Sequence, residues 1–180
     1  MEIRVDTILS AEPITLVEAK LHLRVDGAAE DDLITAFITA ARQNCEGACK
    51  RALIPQRRAA IMDCFPEEIG LGQNVIAVES VTYRDAAGAT QTLAESAYRL
   101  VDERTLVPVS TWPAGDTVRI KFRCGAFDPA VEGSFPRALK SWMLLQLGAL
   151  YAQREAVSAG QLFEPPGRFV DSLLDPYRSY

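Results

Sequence analysis

The side chains able to do chemistry are few in this chain of 180 residues, and they do not converge. An imidazole acts as a general base only when a partner is held against it. The single histidine, His22, lies between Leu21 and Leu23 and reads as a surface or helix-packing residue. The four cysteines form no CxxC pair; Cys45 and Cys49 stand at i,i+4 on one helix face, and zinc would need two further ligands. They read as buried free thiols, in keeping with synthesis in a reducing cytosol. Gly70-Leu-Gly72 lacks the third glycine and the strand-to-helix setting of a phosphate loop. Glu30-Asp31-Asp32 could offer oxygens to a divalent cation, but three acids at a helix start answer the helix dipole more simply. Glu67-Glu68 and Asp102-Glu103 read as solvated loop charges. GxSxG, a Walker lysine loop, GxGxxG and HExxH are all absent from the sequence. We therefore expect no catalytic residue, no metal and no cofactor.

The elements that position these groups follow from composition and pattern. With 48% hydrophobic and 24% charged residues the chain has the makeup of one globular domain, not of a disordered, collagenous or disulfide-stapled one. The charge sum is 19 − 24 = −5. That balance disfavours a sequence-specific grip on DNA, whose phosphates call for lysine and arginine; the densest basic cluster is Arg57–Arg58. Met1–Ser10 has no export pattern, and the apolar run Trp142–Leu145 is far too short to span a membrane.

Thr15-Leu-Val-Glu18 is a capping box that opens a short helix to about Leu23, with Leu16, Ala19, Leu21 and Leu23 apolar and Asp26-Gly27 ending it. A long amphipathic helix starts at Glu30-Asp31-Asp32 and carries Leu33, Ile34, Phe37, Ile38, Ala41, Cys45, Ala48 and Cys49 on one side. Arg42, Glu46, Lys50 and Arg51 fall on the other, and the helix ends before Pro55. From Pro55 to Gly125 the period shortens to that of strands: Val75–Val78, Ser80–Tyr83, Thr90–Leu93 after the Asp85–Gly88 turn, Tyr98–Asp102, and Thr117–Arg123. The last puts Val118, Ile120 and Phe122 on one face and Arg119, Lys121 and Arg123 on the other, after the turn Trp112–Asp116. A third long helix begins near Ser134 or Phe135, with Pro136 in its first turn, and runs toward Arg154-Glu155 with broad apolar coverage. The expectation is an α+β fold: a single domain over residues 1–180, with helices at 13–52, a small antiparallel β insertion at 55–125, a long helix at 134–156 and an apolar tail at 157–180.

The tail carries Leu162, Phe163, Phe169, Val170, Leu173, Leu174 and Tyr177 around Pro165-Pro166-Gly167. Such a segment either folds back on its own core or buries itself in another subunit. Pattern alone leaves both readings open.

Taken together, these motifs resemble the tailed-phage head–tail connector (adaptor) family. The stretch Pro13-Ile-Thr-Leu-Val-Glu-Ala-Lys-Leu-His-Leu-Arg-Val-Asp26 is similar to the family's opening, and Glu30–Ile34 through Ala40–Arg42 to its acidic gap and following helix. Pro136–Lys140, the apolar helix toward Tyr151, and Leu173-Leu-Asp-Pro-Tyr-Arg178 are similar to its closing elements. Tyr98–Asp102 and Trp112-Pro113 sit where the family places a strand and a turn; Glu67–Asn74 has no clear counterpart. The resemblance implies a virion protein of the neck, made in the bacterial cytoplasm, whose helices form the body of a ring, usually dodecameric, beneath the portal. It implies a channel through which genomic DNA passes without sequence-specific binding, a platform for stopper or tail-completion proteins, and no membrane. It further implies a C-terminal anchoring tail that grips the portal protein, which makes Phe169, Leu173, Leu174, Pro176 and Tyr177 the candidate portal contacts. Head-to-tail ring contacts demand complementary faces, which the charged faces of Glu30–Arg51 and of Arg119, Lys121 and Arg123 could supply.

Three alternatives stand beside this reading: a head- or tail-completion protein of another neck layer, a cytosolic α+β ligand-binding module, and, last, an enzyme using His22 with a nearby carboxylate.

Overall fold

A computed structural model of the chain describes residues 1–153 and 171–178. In chain order the elements are β1 (Glu2–Ile8), α1 (Leu16–Leu23), α2 (Asp31–Cys49), β2 (Gln56–Cys64), β3 (Ile69–Gly70), β4 (Val75–Arg84), β5 (Thr90–Thr92), β6 (Tyr98–Val101), β7 (Thr105–Pro108), β8 (Asp116–Cys124) and α3 (Arg137–Ala152). This is a mixed α+β chain, and it divides into two compact units: Met1–Ser10 with Arg51–Phe127, and Ala11–Lys50 with Asp128–Tyr180.

The first unit is built on strands. One sheet of five runs β1-β2-β8-β4-β5, all neighbours antiparallel, and a second of three runs β3-β7-β6. Two sheets thus stand where the sequence suggested one, and β1, β2, β3 and β7 are strands that pattern reading leaves unassigned. The runs read separately at Val75 and Ser80 form one bulged strand, because β4 shifts register against β8 three times. The core follows the alternation of β8: Val118, Ile120 and Phe122 are all fully buried and pack with Ala60, Met62, Val81 and Leu106. Burying a side chain of this kind stabilises by roughly 1.5–3 kcal/mol. At the end of β8, Gly125 (φ +154°) lies flat against Ile54 and Pro55; a Cβ there would stand 2.7 Å from the Pro55 nitrogen.

The second unit is helical. Thr15 and Glu18 close the expected capping box, the Glu18 amide donating to the Thr15 hydroxyl at 3.2 Å and the Thr15 amide to the Glu18 carboxylate at 2.9 Å. Helix α1 ends at Leu23 as expected, but the residue that stops it is Arg24 and not Asp26-Gly27: Arg24 takes the left-handed conformation (φ 57°) and donates its amide to the last turn. In α2 the buried stripe Ile34, Ile38, Ala41, Cys45 and Cys49 keeps helical spacing. Helix α3 starts after Pro136, which is its N-cap residue, and packs Leu139, Trp142, Met143 and Leu147 inward against α1 and α2. Its apolar coverage is narrower than expected, since Leu145 is exposed. Arg154, Glu155, Leu162, Phe163, Phe169 and Val170 lie outside the described residues.

Candidate functional site

The chemistry-bearing residues singled out by type go to three places. Most acids of the helical unit are tied up inside it. Lys140 donates to Glu18 at 2.6 Å and Lys20 to Asp31 at 2.6 Å, while the Tyr151 hydroxyl donates to Glu30. The first two acids of the Glu30-Asp31-Asp32 run therefore act as helix-to-helix links. Lys140, ahead of the backbone and side chain of Thr15, holds the Glu18 carboxyl below its ordinary value.

Two residues depart from the amphipathic reading of α2. Arg42 and Glu46 were expected on its solvent side but are buried, at 2% and 8% exposure. The cause is a partner distant in sequence. Glu12, in the approach to α1, accepts from the Arg42 Nε at 2.8 Å and from the Thr39 hydroxyl at 3.1 Å, while Glu46 accepts from Arg42 Nη1 at 2.9 Å. One guanidinium is thus neutralised by two carboxylates, which is how a charge is held inside a protein.

His22 is exposed on α1; a Cβ added at Gly148 of α3 would lie 3.6 Å from its Nε2. Cys45, Cys49 and Cys124 are buried, but Cys64 at the end of β2 is exposed, against the expectation that all four thiols are buried. The Cys49 sulfur, then burial, pushes the Cys45 thiol strongly upward, away from the reactive thiolate. Among the described residues no three His, Cys, Asp or Glu side chains cluster to hold a metal.

The C-terminal segment returns to the helical unit. Leu174 is fully buried, Leu173 and Tyr177 are half-buried and Pro176 is exposed, in a short turn of 3-10 helix at Asp175–Tyr177. The Trp142 indole N–H reaches Asp171 at 3.5 Å, and Arg178 donates to Asp175 at 3.1 Å. Of the five candidate portal contacts, four are brought together in this turn; Phe169 lies outside the described residues. The same unit also exposes large apolar groups: Val17 and Leu21, at 76% and 79% exposure, share one side of α1. Leu21 was expected to face inward; α1 instead buries Ala19.

The third place is the outward face of the five-stranded sheet, the one opposite Val118, Ile120 and Phe122. Here Arg119, Lys121 and Arg123 project as their alternation predicts, joined by Arg57, whose strand the sequence did not reveal. Arg57 stands directly across from Arg123, and Glu79 accepts from Arg57 at 2.6 and 3.0 Å. That bond, with the charges of Arg123 and Lys121 nearby, holds the Glu79 carboxyl below its ordinary value. The adjacent Arg58, paired with Phe122, falls on the other face.

Residues 13–101 match the phage gp6-like head-tail connector protein family, so the resemblance carried by Pro13–Asp26 and the elements after it stands on that match. Among solved structures the whole chain is similar to a chain in the virion of a native gene transfer agent particle, with 23% identity, 96% of that chain covered and a TM-score of 0.75. It is also similar to chains of the neck of an empty particle with C6 symmetry (24% identity, TM-score 0.73) and of a native particle with C12 symmetry (23%, 0.71), each covered to 96%. No curated protein matches the chain.

Proposed function

We propose that this chain, a head–tail connector by its family match, is a structural virion protein of the neck and not an enzyme. Copies assemble into a ring under the portal, extend the DNA channel and offer a platform to stopper or tail-completion proteins. One observation carries the reading: the family match over residues 13–101 coincides with a likeness along the whole chain to neck chains of particles with rotational symmetry. The exposed Val17 and Leu21 support it, because apolar side chains on one side of a helix suit contact with a neighbouring copy. Light scattering after size exclusion tests it. A species of ring mass, alone or once the cognate portal is added, is the expected result; a monomer indifferent to portal overturns the reading.

The portal contact is assigned to the C-terminal turn. Leu174 belongs to the helical unit's own core, so in this reading it holds the turn in place while Leu173, Pro176 and Tyr177, with Phe169, meet the portal. Truncation after Gly167 would remove Leu174 as well and disturb the core. The cleaner test keeps Leu174 and replaces Pro176 and Tyr177 together by Ala. Portal binding should fall at least tenfold with an unchanged melting temperature; unaltered binding would remove these residues from the contact.

A further inference from the structure

The outward face of the five-stranded sheet carries a cluster of cations with one acid at its centre. Arg57 and Arg123 are direct cross-strand partners, and like charges so placed destabilise a sheet. Glu79 relieves the pair, bonded to Arg57 and 3.5 Å from Arg123, while Lys121 acts on the same carboxylate through space. Three cations thus surround one acid. Arg119 continues the row and is exposed. The four cations with Glu79 sum to 4 − 1 = +3; the whole face, with Arg4, Glu2 and Asp6 from β1 and Asp63 from β2, sums to 5 − 4 = +1. The chain as a whole carries −5, so the cluster of four cations is a local departure from an acidic balance.

Side chains on one face of a strand recur about every 6.6–6.8 Å, so Arg119, Lys121 and Arg123 form a row about 13 Å long. Around them the register sets Ala59, Ile61, Ala77, Ser80 and Thr82, with Glu2 and Arg4 of β1 bonded to each other beyond. A specific protein interface is anchored by large apolar or aromatic side chains packed at its centre; nothing here is larger than the half-buried Ile61. Guanidinium, ammonium and hydroxyl groups without such an anchor are what phosphate oxygens require.

We propose that this face docks the phosphate backbone of duplex DNA without regard to sequence. The inference rests on the channel reading and gives it a contact surface. Four cations on a chain of net negative charge make a contact that is weak and easily broken by salt, suited to DNA that must move past it.

Fluorescence anisotropy of the full chain with two short duplexes of unrelated sequence, from low to physiological salt, decides it. Both duplexes should bind alike, with log affinity falling against log salt at a slope of roughly −3 to −4 for four phosphate contacts. Replacing Arg119 and Lys121 together by Gln should weaken low-salt binding at least tenfold and flatten the slope by about 2. Arg178→Gln removes one positive charge from the other unit and should change neither. Absence of salt-dependent binding, or binding that survives the double replacement, overturns the proposal. So does equal, equally sensitive binding of polyglutamate, which would make the partner an acidic protein. The measurement does not depend on assembly: a ring by mass that binds no DNA sinks this surface alone. DNA binding through these residues in a chain that never joins a portal supports the surface and sinks the ring.

Discussion

The helical unit and the cationic cluster of the five-stranded sheet handle charge in opposite ways, although elsewhere in the sheet unit Arg84 pairs with Asp116 and Arg4 with Glu2. In the helical unit each well-placed cation meets its acid inside the structure: Arg42 between Glu12 and Glu46, Lys140 on Glu18, Lys20 on Asp31. In the sheet unit Arg57, Lys121 and Arg123 crowd around Glu79, with Arg119 beyond. The first arrangement fixes how helices pack, because a buried charge tolerates few alternatives. The second works against its own sheet and leaves attraction over for something outside. Where local stability is sacrificed in this way, function is the usual reason.

The contrast breaks first at Arg42. Arg42→Met leaves two carboxylates, one of them buried, without their cation, and loss of one partner from a buried ionic group costs roughly 3–5 kcal/mol. Urea denaturation should show the midpoint falling by that equivalent. Replacing Arg119 and Lys121 by Gln should shift it by no more than about 0.5 kcal/mol, as surface changes do. Equal losses in both variants would mean that the outward cations also hold the fold together.

Legibility in the sequence divides along similar lines. The Thr15–Glu18 capping box, the buried stripe of α2 (save Leu33, which is exposed) and the alternation of β8 are local patterns, and each appears in the structure where the sequence puts it. Strand β2 is different: Gln56-Arg-Arg-Ala-Ala60 sets like residues side by side, and only pairing with β8 sends Arg57 out and Arg58 in. The cationic cluster was therefore half visible, as the row on β8, and half hidden in a register that no local pattern encodes. Burial of Arg42 was hidden for the same reason, since Glu12 reaches it from 30 residues away. Leu174 was visible as an apolar residue, but whether its own core or a partner would take it was a tertiary question.

A middle-sized effect is expected at Gly125, where the comparison concerns backbone instead of charge. A methyl group there would lie 2.7 Å from the Pro55 nitrogen and 2.8 Å from the Ile54 carbonyl, at a φ that side chains rarely adopt. Gly125→Ala should cost about 1–3 kcal/mol, as overpacking does. Ala126 and Phe127, whose amides donate to Ala52 and Leu53 at 3.1 and 2.9 Å, should exchange their hydrogens faster. Wild-type exchange at these two amides would show that the strand end adapts without cost.

The smallest effect sharpens the comparison through pH. Glu18 in the helical unit and Glu79 in the sheet unit both titrate below the ordinary 4.5, the first chiefly because of Lys140 and the second chiefly because of Arg57. In each case the unfolded chain binds the proton first as pH drops. The stabilisation is therefore complete above 4.5 and disappears as pH falls through the lower folded value. Both carboxylates are near the surface, so each contributes only about 0–1 kcal/mol, and Glu18→Gln and Glu79→Gln should each flatten the acid limb of the stability curve slightly. Above pH 6 the two should part. Glu18→Gln loses only a link, whereas Glu79→Gln also leaves Arg57, Lys121 and Arg123 facing one another, so its deficit should shrink as added salt screens the repulsion. A Glu79→Gln deficit indifferent to salt would mean that the three cations do not repel one another, and the sheet face would lose its claim to unspent positive charge.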